Sequence, residues 1–385
     1  MRVVIAPDSF KGSIMSNRAV QIIADAIRTV FPDAETIPFP IADGGEGTVE
    51  GLMTIFQGKR IPIIADDPLR RPIETFYGWV QQEQLAIIET AAASGLPLLT
   101  EKERNPSLAS SYGTGQLICD ALERGAKKIV LGLGGSATVD AGTGILQALG
   151  VQFIDQEGKE LQTGEDILGK VADIRLSGLH PRLREVEFIL ASDVQNPLLG
   201  PEGAVYVFGP QKGVGKDELQ SFEANMAHYA RVLCNTVKRD ERDTPGSGAA
   251  GGIGFSLLSV LDAHIESGFE LISRWGNLEE KISTADLVIT GEGKFDFQSL
   301  YGKVPVGVAE LAKKYQVPVV VFTGKAEGGL IDLPEQGIHL ICPIVDQNMS
   351  LSEAMAQGEA LLERAVIRFC KSLQMARELY MPSPE

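Results

Sequence analysis

Cysteine and histidine are scarce, with four of each in 385 residues. Cys119, Cys234, Cys342 and Cys370 are far apart and form no C-x-x-C. That distribution argues against a zinc site or a disulfide framework and fits a reducing, cytoplasmic setting. His180, His228, His264 and His339 are equally scattered, which argues against a histidine metal centre or a histidine-based triad. No run of about 18 apolar residues occurs, so nothing reads as membrane-spanning. The N-terminal apolar run is stopped by Pro7 and Asp8, too early for a signal-peptide core. Clusters of basic residues are missing too. With 35 Lys and Arg against 51 Asp and Glu the net charge is −16, which makes nucleic acid a poor partner. An anion would have to be bound by local devices, such as backbone N–H groups and a few placed cations.

What is present is an ordinary packing composition, 44% hydrophobic and 22% charged, at a two-domain length. Residues 2–6 read as a short buried strand. A helix over 16–30 follows, with Ala19, Val20, Ile23, Ala26, Ile27 and Val30 on one face and Ser16 or Asn17 as its cap. A strand near 34–39 leads through a Gly-bearing loop to a helix with Val49, Leu52, Met53 and Phe56 on one side. The C-terminal third repeats this grammar, with strands at 286–290, 317–322 and 338–342 and a closing helix over 351–378. Val/Ile/Leu strands alternating with amphipathic helices imply a parallel sheet covered on both faces. The middle is turn-rich and Gly-rich. The expected fold is therefore α/β, with a Rossmann-like domain of 1–66 plus 285–385 interrupted by a second α/β domain at 67–284.

Ligands of open parallel sheets sit beyond the carboxyl ends of the strands. Loops there carry Asp8, Lys11, Asp43, Glu46, Glu292, Lys294, Asp296 and Lys325. Each carboxylate alone reads equally as a cap or a solvated charge, and their accumulation on one rim is what draws attention. In segment 129–138 a strand runs into Gly132, Gly134 and Gly135, then Ser136 and Thr138, expected to open a helix through about Leu149. Such glycines let backbone N–H groups approach a phosphate, and the hydroxyls add donors. The segment fits neither the Walker nor the dinucleotide fingerprint. Asp193 ends a strand over 187–193, placed for Mg²⁺ ligation or for accepting a substrate proton. Lys212 sits on a stiff Gly/Pro loop, and five glycines fall within 246–254, Gly251 and Gly252 among them. These are the parts of phosphoryl transfer, in which positioning and charge neutralisation carry the catalysis.

At these residues the sequence resembles the bacterial class I glycerate kinase family. The matching stretches are APDSFKGS (6–13), ADGGEGT (42–48), GLGGSAT (132–138), ASDVQNPLLG (191–200), FGPQKG (208–213), GAAGG (248–252) and 286–309. The resemblance implies ATP- and Mg²⁺-dependent phosphorylation of D-glycerate, with 2-phosphoglycerate as the product of this class. Catalytic roles go to Asp193, Asp296 and Lys11, with Asp193 and Asp296 also as the metal ligands. Gly134, Gly135, Ser136, Thr138, Lys212, Gly251 and Gly252 are assigned to the nucleotide. Ser9, Asp43, Arg71, Glu292 and Lys303 are assigned to the substrate. Arg70 stands where the family usually has glycine, as an extra anion contact or a change of turn. A kinase of another hydroxy acid or polyol, a non-catalytic nucleotide-binding regulator and a nicotinamide oxidoreductase are the competing readings. Homodimer and monomer both stay open.

Overall fold

The computed structural model describes residues 1–41, 48–163, 165–295, 304–326 and 336–380. Asp43, Asp296 and Lys303 lie outside the described residues. Its strands in chain order are β1 Arg2–Ile5, β2 Glu35–Pro38, β3 Lys59–Asp66, β4 Pro72–Val80, β5 Leu85–Glu89, β6 Lys128–Gly132, β7 Gln152–Ile154, β8 Asp173–Arg175, β9 Glu187–Ala191, β10 His264–Glu266, β11 Leu287–Phe295, β12 Val319–Ala326 and β13 Leu340–Pro343. They belong to two compact units, Met1–Asp43 with Phe269–Glu385, and Gly44–Gly268.

The first unit is an all-parallel sheet in the order β13-β12-β11-β1-β2. β-Branched strands such as RVVI stay buried on both faces because helices cover both. Helix Ser16–Val30 lays Ala19, Val20, Ile23 and Ile27 against Ile5, Phe322 and Leu362. Its first residue is Ser16, with Met15 at the cap. The expected closing helix is two helices, Leu351–Ala356 and Gly358–Tyr380, the first opened by a Ser350/Glu353 capping box. β11 and β12 run further than the apolar text suggested, through Gly291–Phe295 and Gly324–Ala326. Gly291 permits this, since a Cβ there would lie 2.4 Å from the Phe322 carbonyl.

The second unit has a six-stranded sheet, β10-β9-β6-β5-β4-β3, and a small β7-β8 hairpin. β5, β6, β9 and β10 are parallel, and β4 and β3 form an antiparallel edge. Its core joins Tyr77, Ile118, Leu131, Phe188, Tyr229 and Phe255. The pattern placed the domain joints near 66 and 285, whereas the chain changes unit after Asp43 and after Gly268. Pairing explains the first shift: β3 bonds β4 along its whole length, from Lys59 opposite Trp79 to Asp66 opposite Pro72. Packing explains the second, since the Lys281 ammonium stands 5.8 Å from the Phe39 ring centre, in the first unit. Among the described residues no helix is long and apolar enough to cross a membrane.

Helix Tyr112–Arg124 approaches β3 backbone to backbone at Gly113, where a Cβ would fall 1.8 Å from the Asp66 carbonyl oxygen. Gly113→Ala must push the helix off the sheet. It is expected to cost at least about 3 kcal/mol, the upper end of overpacking penalties, and denaturant melts of the variant check it.

Candidate active site

In the second unit the four parallel strands end in register, with Glu89, Gly132, Ala191 and Glu266 aligned across β5, β6, β9 and β10. One carboxyl rim therefore carries four loops. The loop after β6 does not open directly into a helix. It turns at Gly134–Gly135, runs on without helix to Asp140, and the following helix is only Thr143–Ala148. Neighbouring chain holds it: the Leu96 N–H donates to the Gly135 carbonyl (2.8 Å) and the Ala137 N–H to the Ser94 carbonyl (2.8 Å). The expected helix start fails because Ala141 and Gly142 are left-handed, at φ 50° and 73°.

Two sequence motifs far away in the chain converge on this loop. Lys212 ends the short 3-10 turn Pro210–Lys212, and its ammonium donates to Ser136 Oγ (2.7 Å) and to the Thr138 carbonyl (2.8 Å). Gly251, at φ +72°, passes so close that a Cβ would meet the Thr138 carbonyl at 2.1 Å and Lys212 Nζ at 3.0 Å. The Gly251 carbonyl accepts from the Ala141 N–H at 3.0 Å. The left-handed run Ala250–Gly252 interrupts helix Ala249–Leu261 to allow this approach. Lys212 is only 2% exposed. Burial pulls its ammonium down to about 7, against the opposing field of Asp140. Beside it Thr138 Oγ1 is buried with no hydrogen-bond partner among the described residues. A buried lysine pulled down to about 7, a buried hydroxyl with no partner among the described residues and a close backbone approach thus meet at one loop.

Asp193 lies on the same rim, just past β9 and exposed, and one of its oxygens accepts from the Gly268 N–H at 3.2 Å, at the start of helix Gly268–Trp275. Arg71 is committed elsewhere. Its guanidinium donates to Asp67 Oδ2 (2.5 Å) and Glu103 Oε1 (2.6 Å), which shapes the turn between β3 and β4. Glu103, which accepts from the Thr100 backbone and from Arg71, is held down to about 2. Arg70 adopts the left-handed φ of 65° that glycine favours, and it stacks 3.9 Å over the Tyr112 ring while pairing with Asp66. It has changed the chemistry of the turn and kept its shape.

In the first unit the sheet order reverses between β1 and β11, and the loop after β1 lies at that switch point. The Asp8 N–H donates to the Gly291 carbonyl (2.9 Å), and the Ser9 N–H to Asp8 Oδ1 (2.6 Å). A Cβ on Gly293 would meet the Lys11 nitrogen at 3.3 Å. Ser9, Lys11 and Glu292 are thus brought together, with Asp8 and Glu292 buried and Lys11 exposed. Lys294 and Lys325 are register partners on β11 and β12, so this rim also carries adjacent cations.

Motif reading missed Asp140, which accepts hydrogen bonds from Ser111 and from the turn that follows it. Its signal was an aspartate two residues ahead of Gly142, in the run Gly142-Thr143-Gly144 at a helix start. The depressed Lys212 sets a sign that can be tested. Because its folded value lies below the unfolded one, the unfolded chain binds more protons between about pH 7 and 10.5, and stability is lost as pH falls through that window. Lys212→Met is therefore expected to melt later than the parent by about 1–3 kcal/mol at pH 6. The difference should narrow toward pH 10 in thermal melts.

A sequence model of the Glycerate kinase family matches residues 3–374. A glycerate kinase of Halalkalibacterium halodurans is 42% identical over 94% of this chain and 96% of its own length. A glycerate 2-kinase of Escherichia coli K12 is 43% identical over 92% and 93% respectively. A crystal structure described as glycerate kinase 2 from Salmonella typhimurium LT2 superposes with a TM-score of 0.85 at 36% identity, covering 98% of this chain and 99% of that one. The chain belongs to the glycerate kinase family and is a phosphotransferase.

Proposed function

We propose that the chain transfers the γ-phosphoryl group of ATP to a hydroxyl of D-glycerate with Mg²⁺, giving 2-phosphoglycerate. The observation that carries this reading is Lys212, buried and bonded across the Ser136–Thr138 loop beside the Thr138 hydroxyl, which has no partner among the described residues. A cation at that point neutralises charge on a phosphoryl group in transit, and a loop with no room to yield costs no reorganisation as it does so. Gly134, Gly135, Ser136, Thr138, Gly251 and Gly252 shape the cradle.

Magnesium, when bound, would supply charge neutralisation on the phosphates. Among the described residues no three His, Cys, Asp or Glu side chains gather as a metal site. Magnesium on a nucleotide needs only one or two carboxylates, the phosphates and water. Asp193 is the rim carboxylate of that kind, and Asp296 is proposed with it from the resemblance alone. Asp193 is also the candidate to take the proton of the attacking hydroxyl. Ser9, Lys11 and Glu292 are proposed for the glycerate, with Asp43 and Lys303 carried by the resemblance. Arg71 already serves two carboxylates, which favours a turn-holding role over substrate binding.

The direct test is ³¹P NMR of the product formed from D-glycerate and MgATP. The expected result is a single new phosphomonoester, 2-phosphoglycerate. No turnover sinks the reading, turnover of a different hydroxy acid or polyol in competition reassigns the substrate, and 3-phosphoglycerate overturns the regiochemistry. Asp193→Asn is expected to lower kcat by about 10²–10⁴-fold with its melting temperature unchanged. Near-normal turnover removes Asp193 from the site. Because Lys212 must be protonated to meet the phosphate, kcat/KM for ATP should fall as pH rises above about 7, roughly tenfold per unit.

A further inference from the structure

We propose that Asp140 is a positioning residue of the phosphoryl-transfer site, the carboxylate that both shapes loop 133–142 and supplies the counter-charge for the Lys212 ammonium. The proposal rests on the reading of Lys212 given above and adds a residue to it. Asp140 Oδ2 accepts from the Ser111 N–H (2.8 Å), the Ser111 hydroxyl (2.7 Å) and the Gly144 N–H (3.3 Å). Its Oδ1 accepts from the Gly142 N–H at 3.1 Å. All four donors are neutral. They fix the carboxylate without discharging it, and among the described residues no Lys or Arg pairs with it directly.

Lys212 is in the matching position. Its two partners, Ser136 Oγ and the Thr138 carbonyl, are neutral, and among the described residues it has no ion pair. Among the described residues Asp140 is the titratable group whose field acts on it, and it opposes the effect of burial. The elements packed around the ammonium offer no substitute. Residues 209–213 and helix Ala249–Leu261 contain no carboxylate, and Arg104 lies with its backbone under Gly213. Tyr229, bonded to Ser256 Oγ, remains a neutral phenol because burial raises its ionisation. With Lys212 buried and Asp140 half-buried, the pair is screened less than exposed charges, so the two act on each other without contact.

The same carboxylate sets the backbone that Lys212 grips. With Gly142 and Gly144 bound to Asp140, Ala141 is held left-handed, and its N–H reaches the Gly251 carbonyl at 3.0 Å. Gly251 is the residue that closes over Thr138 and Lys212. Ser111 ties the assembly to helix Tyr112–Arg124, which it precedes, and its hydroxyl also accepts from the Ile145 N–H at 3.1 Å.

The charge role and the shape role separate experimentally. Asp140→Asn removes the charge and keeps one acceptor oxygen, enough for the Ser111 donors, while the Gly142 N–H loses its acceptor. Asp140→Glu keeps the charge. The readout is kcat/KM for ATP against pH, with melting temperatures alongside. In Asp140→Asn the alkaline fall should begin at lower pH than in the parent, so the deficit is small at pH 6 and grows to about tenfold or more at pH 8. In Asp140→Glu it should stay where the parent has it. A second readout needs no turnover. Proton uptake on ATP binding at pH 7, measured calorimetrically in two buffers, should be larger in Asp140→Asn because more of its lysine starts neutral. An unmoved fall in Asp140→Asn overturns the proposal, and so does a fall displaced in Asp140→Glu, which also decides the matter if the Asn variant does not fold. A parent enzyme with no alkaline fall and no proton uptake overturns the Lys212 reading itself.

Discussion

A single ammonium taken out of water organises the second unit. Burying an unpaired lysine costs several kcal/mol, and nothing in the core of that unit requires one. What Lys212 obtains in return is two neutral acceptors, Ser136 Oγ and the Thr138 carbonyl, and the distant field of Asp140. Each acceptor is held by chain from elsewhere, since Ser94 and Leu96 pin the loop on one side and Gly251 closes it on the other. The unusual backbone of the unit follows from this. Ala141, Gly142, Ala250, Gly251 and Gly252 all have positive φ within two short stretches that touch one another. Such conformations persist where surrounding structure over-determines them, and they gather at sites whose strain is useful.

On the proposed reading, the same arrangement reconciles a net charge of −16 with an anionic ligand. The chain does not attract anions through a broad positive surface, because many of its exposed cations are already taken. Arg71 is divided between Asp67 and Glu103, Arg242 faces Asp240, Arg239 bridges Glu241 and Asp262, and Lys314 meets Glu279. Exposed pairs of this kind contribute about 0–1 kcal/mol each, so their effect is chiefly to quench stray positive potential. The positive charge that matters is inside, where water and salt screen it little. The first unit adds Lys11, Lys294 and Lys325 at strand ends.

Much of this was legible in the chain. Period and strand chemistry located the helix over 16–30, the parallel strands of the first unit and the loops at their ends. The loop motifs around Ser136, Lys212 and Gly251 were each recognisable, because glycine at a close approach leaves a mark in sequence. Their meeting point was not legible, since it depends on a side chain crossing from residue 212 to residue 136. The domain joints were misplaced because β3 looks like the end of one alternating pattern and is in fact half of a hairpin with β4. Asp140 was not singled out, since an aspartate two residues before Gly142 reads as an ordinary turn-former. It bonds the turn here too, and only the buried lysine beyond it gives that charge a second use. Arg70 shows the opposite case, in which a departure from the family pattern is absorbed locally by a stacked Tyr112 and a paired Asp66.

The choice of lysine over arginine at position 212 follows from the same physics. A guanidinium cannot shed its proton at any working pH. Placed at 2% exposure between a hydroxyl and a carbonyl it would carry the full cost of burial at all times. A lysine titrating near 7 need not. With no anion beside it, it can release its proton and leave a neutral amine that still donates to Ser136 and Thr138. On the proposed reading, an approaching phosphate would raise its affinity for the proton and the ammonium would return. The folded chain then bears the cost of a buried charge only while the charge has a partner. Asp140 belongs to this balance as the term that stops burial from driving the lysine neutral altogether.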